Sequence, residues 1–174
     1  MAAPASKTPR IRVAAAIPVG SSLILVRQHK GDASYWLLPG GGVSWGESLA
    51  ESLVREVREE IGLDIAVDRL IFVNDSVAPD GSKHVVNLTF LAHAVAPLDA
   101  VSPLDPAIDA VDTVPFEQLE SIDLRPPVAK ELVAFFGDGR LPSTYLGPRW
   151  TSGVGPFGDQ IQSREPEIDT LHKP

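Results

Sequence analysis

Fifteen residues in the first half of the chain leave little structural freedom: Ser48 to Gly62, SLAESLVREVREEIG. Ser48 is placed to cap a helix, Glu51 three residues later is its capping-box partner, and Gly62 supplies the stop. The spacing therefore predicts a helix over Leu49–Ile61. Ala50, Val54, Val57 and Ile61, joined by Leu53, form an apolar stripe that must be covered by a second layer. At roughly 100° per residue, Glu56, Glu59 and Glu60 fall at about 0°, −60° and +40°, one arc of about 100° beside that stripe. Like charges at i, i+4 cost a few tenths of a kcal/mol, and more when partly buried. Two readings remain open at this point. The arc is either a solvated face or a set of hard oxygen donors for a divalent cation.

The flanking sequence says what covers the stripe. Ile11–Ile17 and Leu23–Arg27 read as strands joined by Gly20-Ser21-Ser22 in a hairpin. A short apolar piece, Tyr35 to Leu38, runs into Pro39-Gly40-Gly41-Gly42, where backbone can approach other groups without a Cβ in the way. After the helix, 65–77 and 84–95 are strand-like and separated by the turn residues 78–82; 107–114 is a further short strand. A second helix is predicted over 128–136, entered through Pro126-Pro127 and ended by Gly137. Strand, strand, helix, strand, strand, strand, helix implies an α/β fold with a mixed sheet between helices. Regular strand–helix alternation, which a doubly wound parallel sheet needs, is absent. One domain is expected over 11–136, with a flexible N-terminal arm at 1–10 and a Gly/Pro-rich C-terminal extension at 137–174.

Composition narrows the function. A chain of 174 residues without cysteine needs no crosslinks to build a core and has no thiolate for metal binding or nucleophilic attack. Its net charge of −8 argues against wrapping a nucleic-acid backbone, and a small anionic ligand would have to be met by metal ions or a local Arg/Lys cluster. No segment approaches the roughly 20 apolar residues of a membrane span, and residues 1–10 lack the apolar core of a secretory signal. The expectation is a soluble cytoplasmic protein that acts on a small molecule and binds neither nucleic acid nor membrane.

Gly41, Glu47 and the run Arg55-Glu56-Val57-Arg58-Glu59-Glu60-Ile61-Gly62-Leu63 together fill every fixed position of G-x5-E-x7-R-E-U-x-E-E-x-G-U, with U a bulky aliphatic. Average residue frequencies make a chance match on the order of one in ten million. Across residues 11–136 the chain resembles the Nudix hydrolases. The resemblance implies an α/β/α sandwich and Mg²⁺-dependent hydrolysis, with Mn²⁺ as a substitute, of a nucleoside diphosphate linked to another group. It implies that Glu56, Glu59 and Glu60 ligate metal together with a carbonyl of the Gly40-Gly41 turn, assigned to Gly41. It also implies that Arg55 orients these carboxylates and that Glu47 supports the network. The catalytic set is then Glu47, Arg55, Glu56 and Glu60, with Glu60, Asp109 and Asp112 as alternatives for the general base.

The substrate is read from weaker signals. Pro79 stands sixteen residues after Leu63, which resembles the mark of the ADP-ribose pyrophosphatase subgroup, whose relatives also cleave nucleotide sugars. Turn chemistry alone also favours proline there. The expected products are a nucleoside monophosphate and a sugar phosphate. The alternatives are a nucleoside triphosphate pyrophosphohydrolase that sanitises nucleotide pools, and a non-catalytic nucleotide-sugar sensor. Substrate contacts are expected from Arg27, Gly40, Gly42, Pro79 and His84. Asn87 is a candidate for a ribose or base, and Tyr35, Trp36 and Trp45 for stacking. Trp150 and Phe157 are expected to pack on the domain or on a second subunit of a homodimer.

Overall fold

The computed structural model describes residues 8–141 and 143–150. The expected layers are present, in finer division than the sequence implied. Eight strands, β1 (Arg10–Ala16), β2 (Pro18–Val19), β3 (Ser22–Lys30), β4 (Ala33–Leu37), β5 (Ile65–Val77), β6 (His84–Ala94), β7 (Ile108–Pro115) and β8 (Tyr145–Pro148), accompany helices α1 (Leu49–Ile61) and α2 (Ala129–Asp138). They form two four-stranded sheets rather than one: a mixed sheet ordered β1-β6-β5-β8, and an antiparallel sheet in which β3 pairs with β2 and β4 on one edge and with β7 on the other.

The chain changes sheet between Ala16 and Pro18, which corrects the expected hairpin. Strand β1 leaves its sequence neighbour and pairs in parallel with β6, Arg10 opposite Val85 through Ala16 opposite Leu91. The hairpin partner of β3 is the two-residue β2, with Pro18 opposite Leu23. Proline has no amide to donate, so a short edge segment is where a sheet tolerates it.

Both faces of β1 are buried from Val13 onward, which explains its apolar run there. Val13, Ala15 and Ile17 pack with Leu53, Val57 and Ile61 of α1. Ala14 and Ala16 pack on the other side with Leu132 of α2, Leu119 and Phe72. Helix α1 has the predicted bounds, with the Ser48–Glu51 capping box formed and Gly62 left-handed at its end. Its buried stripe is narrower than expected: Ala50 is exposed and Val54 half-buried, lining an open groove with Ile65 and Val67. Helix α2 runs past Gly137 and stops at Gly139, whose φ of 73° makes it the left-handed cap.

An element without a strand-like signal completes the mixed sheet. Strand β8 adds in parallel to β5, buries Leu146 against the α2 side of the core and is fastened by Tyr145 Oη donating to Asp75 at 2.5 Å and by an Arg149–Glu131 ion pair at 3.0 Å. No helix among the described residues is long and apolar enough to cross a membrane.

Candidate active site

The glycine-rich turn lies along the edge of β1 that β6 leaves free. Val13 N–H donates to the Gly41 carbonyl and Ala15 N–H to that of Pro39, while Val43 N–H donates to Ile11. One of the three glycines is required by this approach. Gly40 has φ 137°, and a Cβ there would collide with the β1 backbone at Val13 and Ala14; a Cβ on Gly41 would meet only the Glu56 carboxylate, which the end of that side chain can yield to. Gly42 meets no such obstacle, with only the Arg10 guanidinium at 3.6 Å. The turn is therefore pinned between a strand on one side and the helix carboxylates on the other.

The three arc glutamates occupy different environments. Glu59 is exposed, Glu56 is mostly covered with 19% of its side chain accessible, and Glu60 is buried at 8%. Glu60 Oε2 accepts the Gly40 N–H at 2.7 Å. Burial pushes its carboxyl up to about 7, with the Gly40 hydrogen bond and the Arg12 charge opposing the shift and Glu56 and Asp105 adding to it.

Arg55 and Glu47 act as a brace. Arg55 Nε donates to Glu47 Oε1 at 2.7 Å and its Nη2 to Oε2 at 2.9 Å, a bidentate pair, while Nη1 reaches Glu56 at 2.8 Å and Glu59 at 3.1 Å. Ser52, buried on α1, donates its hydroxyl to Glu47 at 2.6 Å. These bonds, from Arg55 first and Ser52 second, hold the Glu47 carboxyl down at about 2. The same carboxylates hold the Arg55 guanidinium above its ordinary range. One cation therefore joins the loop before α1 to two carboxylates on it.

Sequence reasoning missed Arg12. It stands in β1 directly opposite Gly42, and its Nη2 donates to the carbonyls of Leu38 at 3.0 Å and Gly40 at 2.9 Å. Burial lowers its pKa, while Glu60 and Glu56 act in the opposite sense. A lone arginine inside the apolar run 11–17 was the available signal. Together with Asn87, Thr89, Leu124 and Arg125 it lines a small pocket beside the turn.

The donor set has the chemistry of a divalent-cation site, being carboxylate and carbonyl oxygen throughout, and the Glu56 carboxylate lies against Gly41. Among the described residues, however, no three acidic or imidazole groups converge into a complete site. Arg55 holds Glu56 and Glu59, and the Gly40 amide holds Glu60.

The remaining expected residues lie further out. The Arg27 guanidinium stacks over Trp36 at 5.7 Å, not on the glycine turn. Arg125 stacks over Tyr35 at 4.4 Å. Trp45 is fully exposed at the tip of the loop before α1. Pro79 occupies the second position of a turn closed by Gly81 N–H donating to Ala78, so turn geometry accounts for a proline there. His84 contacts Asp75 at 3.4 Å, and buried Asn87 donates to Ser76 at 3.0 Å. Asp109 is bound to His29 at 2.7 Å, and Asp112 accepts the Thr113 amide. Trp150 is half-buried; Phe157 and residues 1–7 of the expected arm lie outside the described residues.

Comparison with known proteins places these features in a family. The NUDIX domain matches residues 8–136. An ADP-ribose pyrophosphatase of Methanocaldococcus jannaschii is 34% identical over 73 residues, 42% of this chain and 43% of that protein, so the alignment spans under half of it. The phosphatase NudJ of Escherichia coli K12 is 28% identical over 152 residues, covering 84% of this chain and 97% of that one. Among solved structures, a UDP-X diphosphatase superposes with a TM-score of 0.63 at 26% identity, over 81% of this chain and 68% of that one. A domain match over most of the chain, coinciding with a braced glutamate helix against a glycine turn, identifies the protein as a member of the Nudix family and an enzyme of the Nudix hydrolase type.

Proposed function

We propose that the chain hydrolyses ADP-ribose or a nucleotide sugar, releasing a nucleoside monophosphate and a sugar phosphate, with Mg²⁺ or Mn²⁺ as cofactor. The observation that carries hydrolysis is the buried Glu60 against the Gly40 amide, next to Glu56 seated on Gly41. The likeness to an ADP-ribose pyrophosphatase and to a UDP-X diphosphatase supports a diphosphate substrate. In this reading Glu56, Glu59, Glu60 and the Gly41 carbonyl hold the cation, which when bound neutralises diphosphate oxygens and acidifies water. Arg55 and Glu47 keep Glu56 and Glu59 facing the turn. Gly40 and Gly42 let the phosphates approach backbone. Glu60 is the proton acceptor in this reading on geometry, being the arc carboxylate buried against the Gly40 amide, whereas Asp109 is engaged by His29.

The test is incubation with Mg²⁺ and a panel of ADP-ribose, nucleotide sugars, NADH, diadenosine polyphosphates and (d)NTPs, with products identified and parallel reactions in EDTA. A sugar-linked diphosphate should lead every triphosphate by at least about tenfold in kcat/KM, because a site that hydrogen-bonds hydroxyls rejects substrates lacking them. A triphosphate leading by the same margin overturns the substrate assignment. Turnover in EDTA overturns the metal assignment.

A further inference from the structure

Arg12 lies outside the glycine–glutamate motif, yet it reaches the same turn from behind. A single guanidinium nitrogen donates to the carbonyls of Leu38 and Gly40, in the two peptide groups that flank the Pro39–Gly40 peptide. The Gly40 amide, in the peptide between those two carbonyls' residues, donates in turn to Glu60. Strand β1 fixes the arginine from its own side, since Arg12 pairs with Asn87 on β6 and bridges to Gly42 on the turn. The turn is thus held by backbone bonds from Val13 and Ala15 and by one half-buried cation.

That arrangement is sensitive to small displacement. Gly40 sits at φ 137° with its Cα against β1, so the Gly40 peptide cannot be re-aimed by a local side-chain movement. Rotation of this peptide would break the Glu60 hydrogen bond and move the carbonyls beside Glu56. Two charge-assisted bonds, both from one guanidinium nitrogen, hold the flanking peptides against that rotation; a lysine ammonium has a shorter reach and no plane to fix the directions of its donors.

We propose that Arg12 is a positioning residue for hydrolysis, clamping the Leu38–Gly40 turn so that the Gly40 peptide and Glu60 hold their mutual geometry. The proposal rests on the hydrolase reading of this site. Two of its readouts need no substrate, so failure of the substrate assignment and failure of the clamp can be told apart.

The experiment compares wild type with Arg12→Lys and Arg12→Met. Hydrogen exchange at the Gly40 amide is followed by NMR in metal-free buffer, Mn²⁺ affinity by EPR, and kcat and KM on the best panel substrate at saturating Mg²⁺. Supporting residues of this kind typically change metal affinity or activity by about 10–100-fold. The clamp predicts that both variants lose at least about tenfold in kcat with KM within about threefold, exchange Gly40 faster and bind Mn²⁺ more weakly. Arg12→Lys should recover only a minor part, because its ammonium stops short of the position of the Nη2 that makes both carbonyl bonds. A folded Arg12→Lys or Arg12→Met protein with unchanged Gly40 exchange and wild-type kcat overturns the proposal, as does full recovery by lysine, which would reduce Arg12 to a counter-charge. Should Arg12→Met not fold, Arg12→Lys, which keeps the charge and most of the volume, decides the matter.

Discussion

At the scale of single residues, the site is governed by how differently three adjacent carboxylates are housed. Glu47 is held near 2 by Arg55 and Ser52, while Glu60 is lifted to about 7 by burial. The two have opposite consequences for stability. A depressed carboxyl stabilises the fold above its unfolded pKa, and that contribution is lost as pH falls from about 4.5 to about 2. A raised carboxyl does the reverse: folding favours its protonated form, so metal-free protein should lose stability as pH climbs from about 4.5 to about 7 and change little from this group beyond. Glu60→Gln removes that dependence and keeps an oxygen able to accept the Gly40 amide. In EDTA its melting temperature should equal or exceed wild type at pH 8, with the difference shrinking towards pH 5. Activity should fall by at least about 10²-fold, on the scale of a lost electrostatic contribution to a charged transition state. Calorimetry across pH and steady-state kinetics check the two halves separately, and near-normal turnover would remove Glu60 from the chemistry.

At the scale of elements, α1 is set by its ends and its packing together. The capping box joins Ser48 Oγ to the Glu51 amide and the Glu51 carboxylate to the Ser48 amide, the latter at 2.8 Å. This fixes where the helix starts, one residue after the loop that carries Glu47. Loss of an N-cap hydroxyl costs about 1 kcal/mol. Ser48→Ala should accordingly lower the melting temperature by about 2–4 °C in a domain of this size. Because the first turn also carries Ser52, which braces Glu47, the same variant should lose some activity while KM stays near wild type. An unchanged melting temperature would show that packing of Leu53, Val57 and Ile61 alone sets the helix start.

At the scale of the whole molecule, the mixed sheet is complete only with β8, which follows α2 in sequence but covers the outer edge of β5. The backbone there is tied by Val73 N–H donating to Thr144 at 2.7 Å and Arg149 N–H donating to Asp75 at 2.6 Å. An exposed long edge strand invites pairing with other chains. A chain ended at Gly139 should therefore melt at least about 4 °C below one ended at Trp150, since burial of Leu146 alone is worth about 1.5–3 kcal/mol. It should also aggregate on heating, which light scattering would detect. Equal melting temperatures for the two would show that β8 contributes nothing to the fold's stability.

The sequence alone determined what depends on near neighbours. Helix α1 was legible to its terminal residues because capping, periodicity and the Gly62 stop are local, and β5 was legible because thirteen residues rich in Val, Ile, Leu and Phe stand between turn signals. The glycine–glutamate motif was legible for the same reason, its parts lying within one loop and one helix. What tertiary structure decided depends on residues distant in the chain. The partner of β1 is β6, some seventy residues on, and no local pattern encodes that choice or the division into two sheets. Strand β8 has only four residues and no alternation; it becomes a strand because β5 offers an unpaired edge. Arg12 reads as an interruption of an apolar strand until the turn from Leu38 to Gly40 folds over it, and only that long-range contact turns a half-buried charge into a clamp.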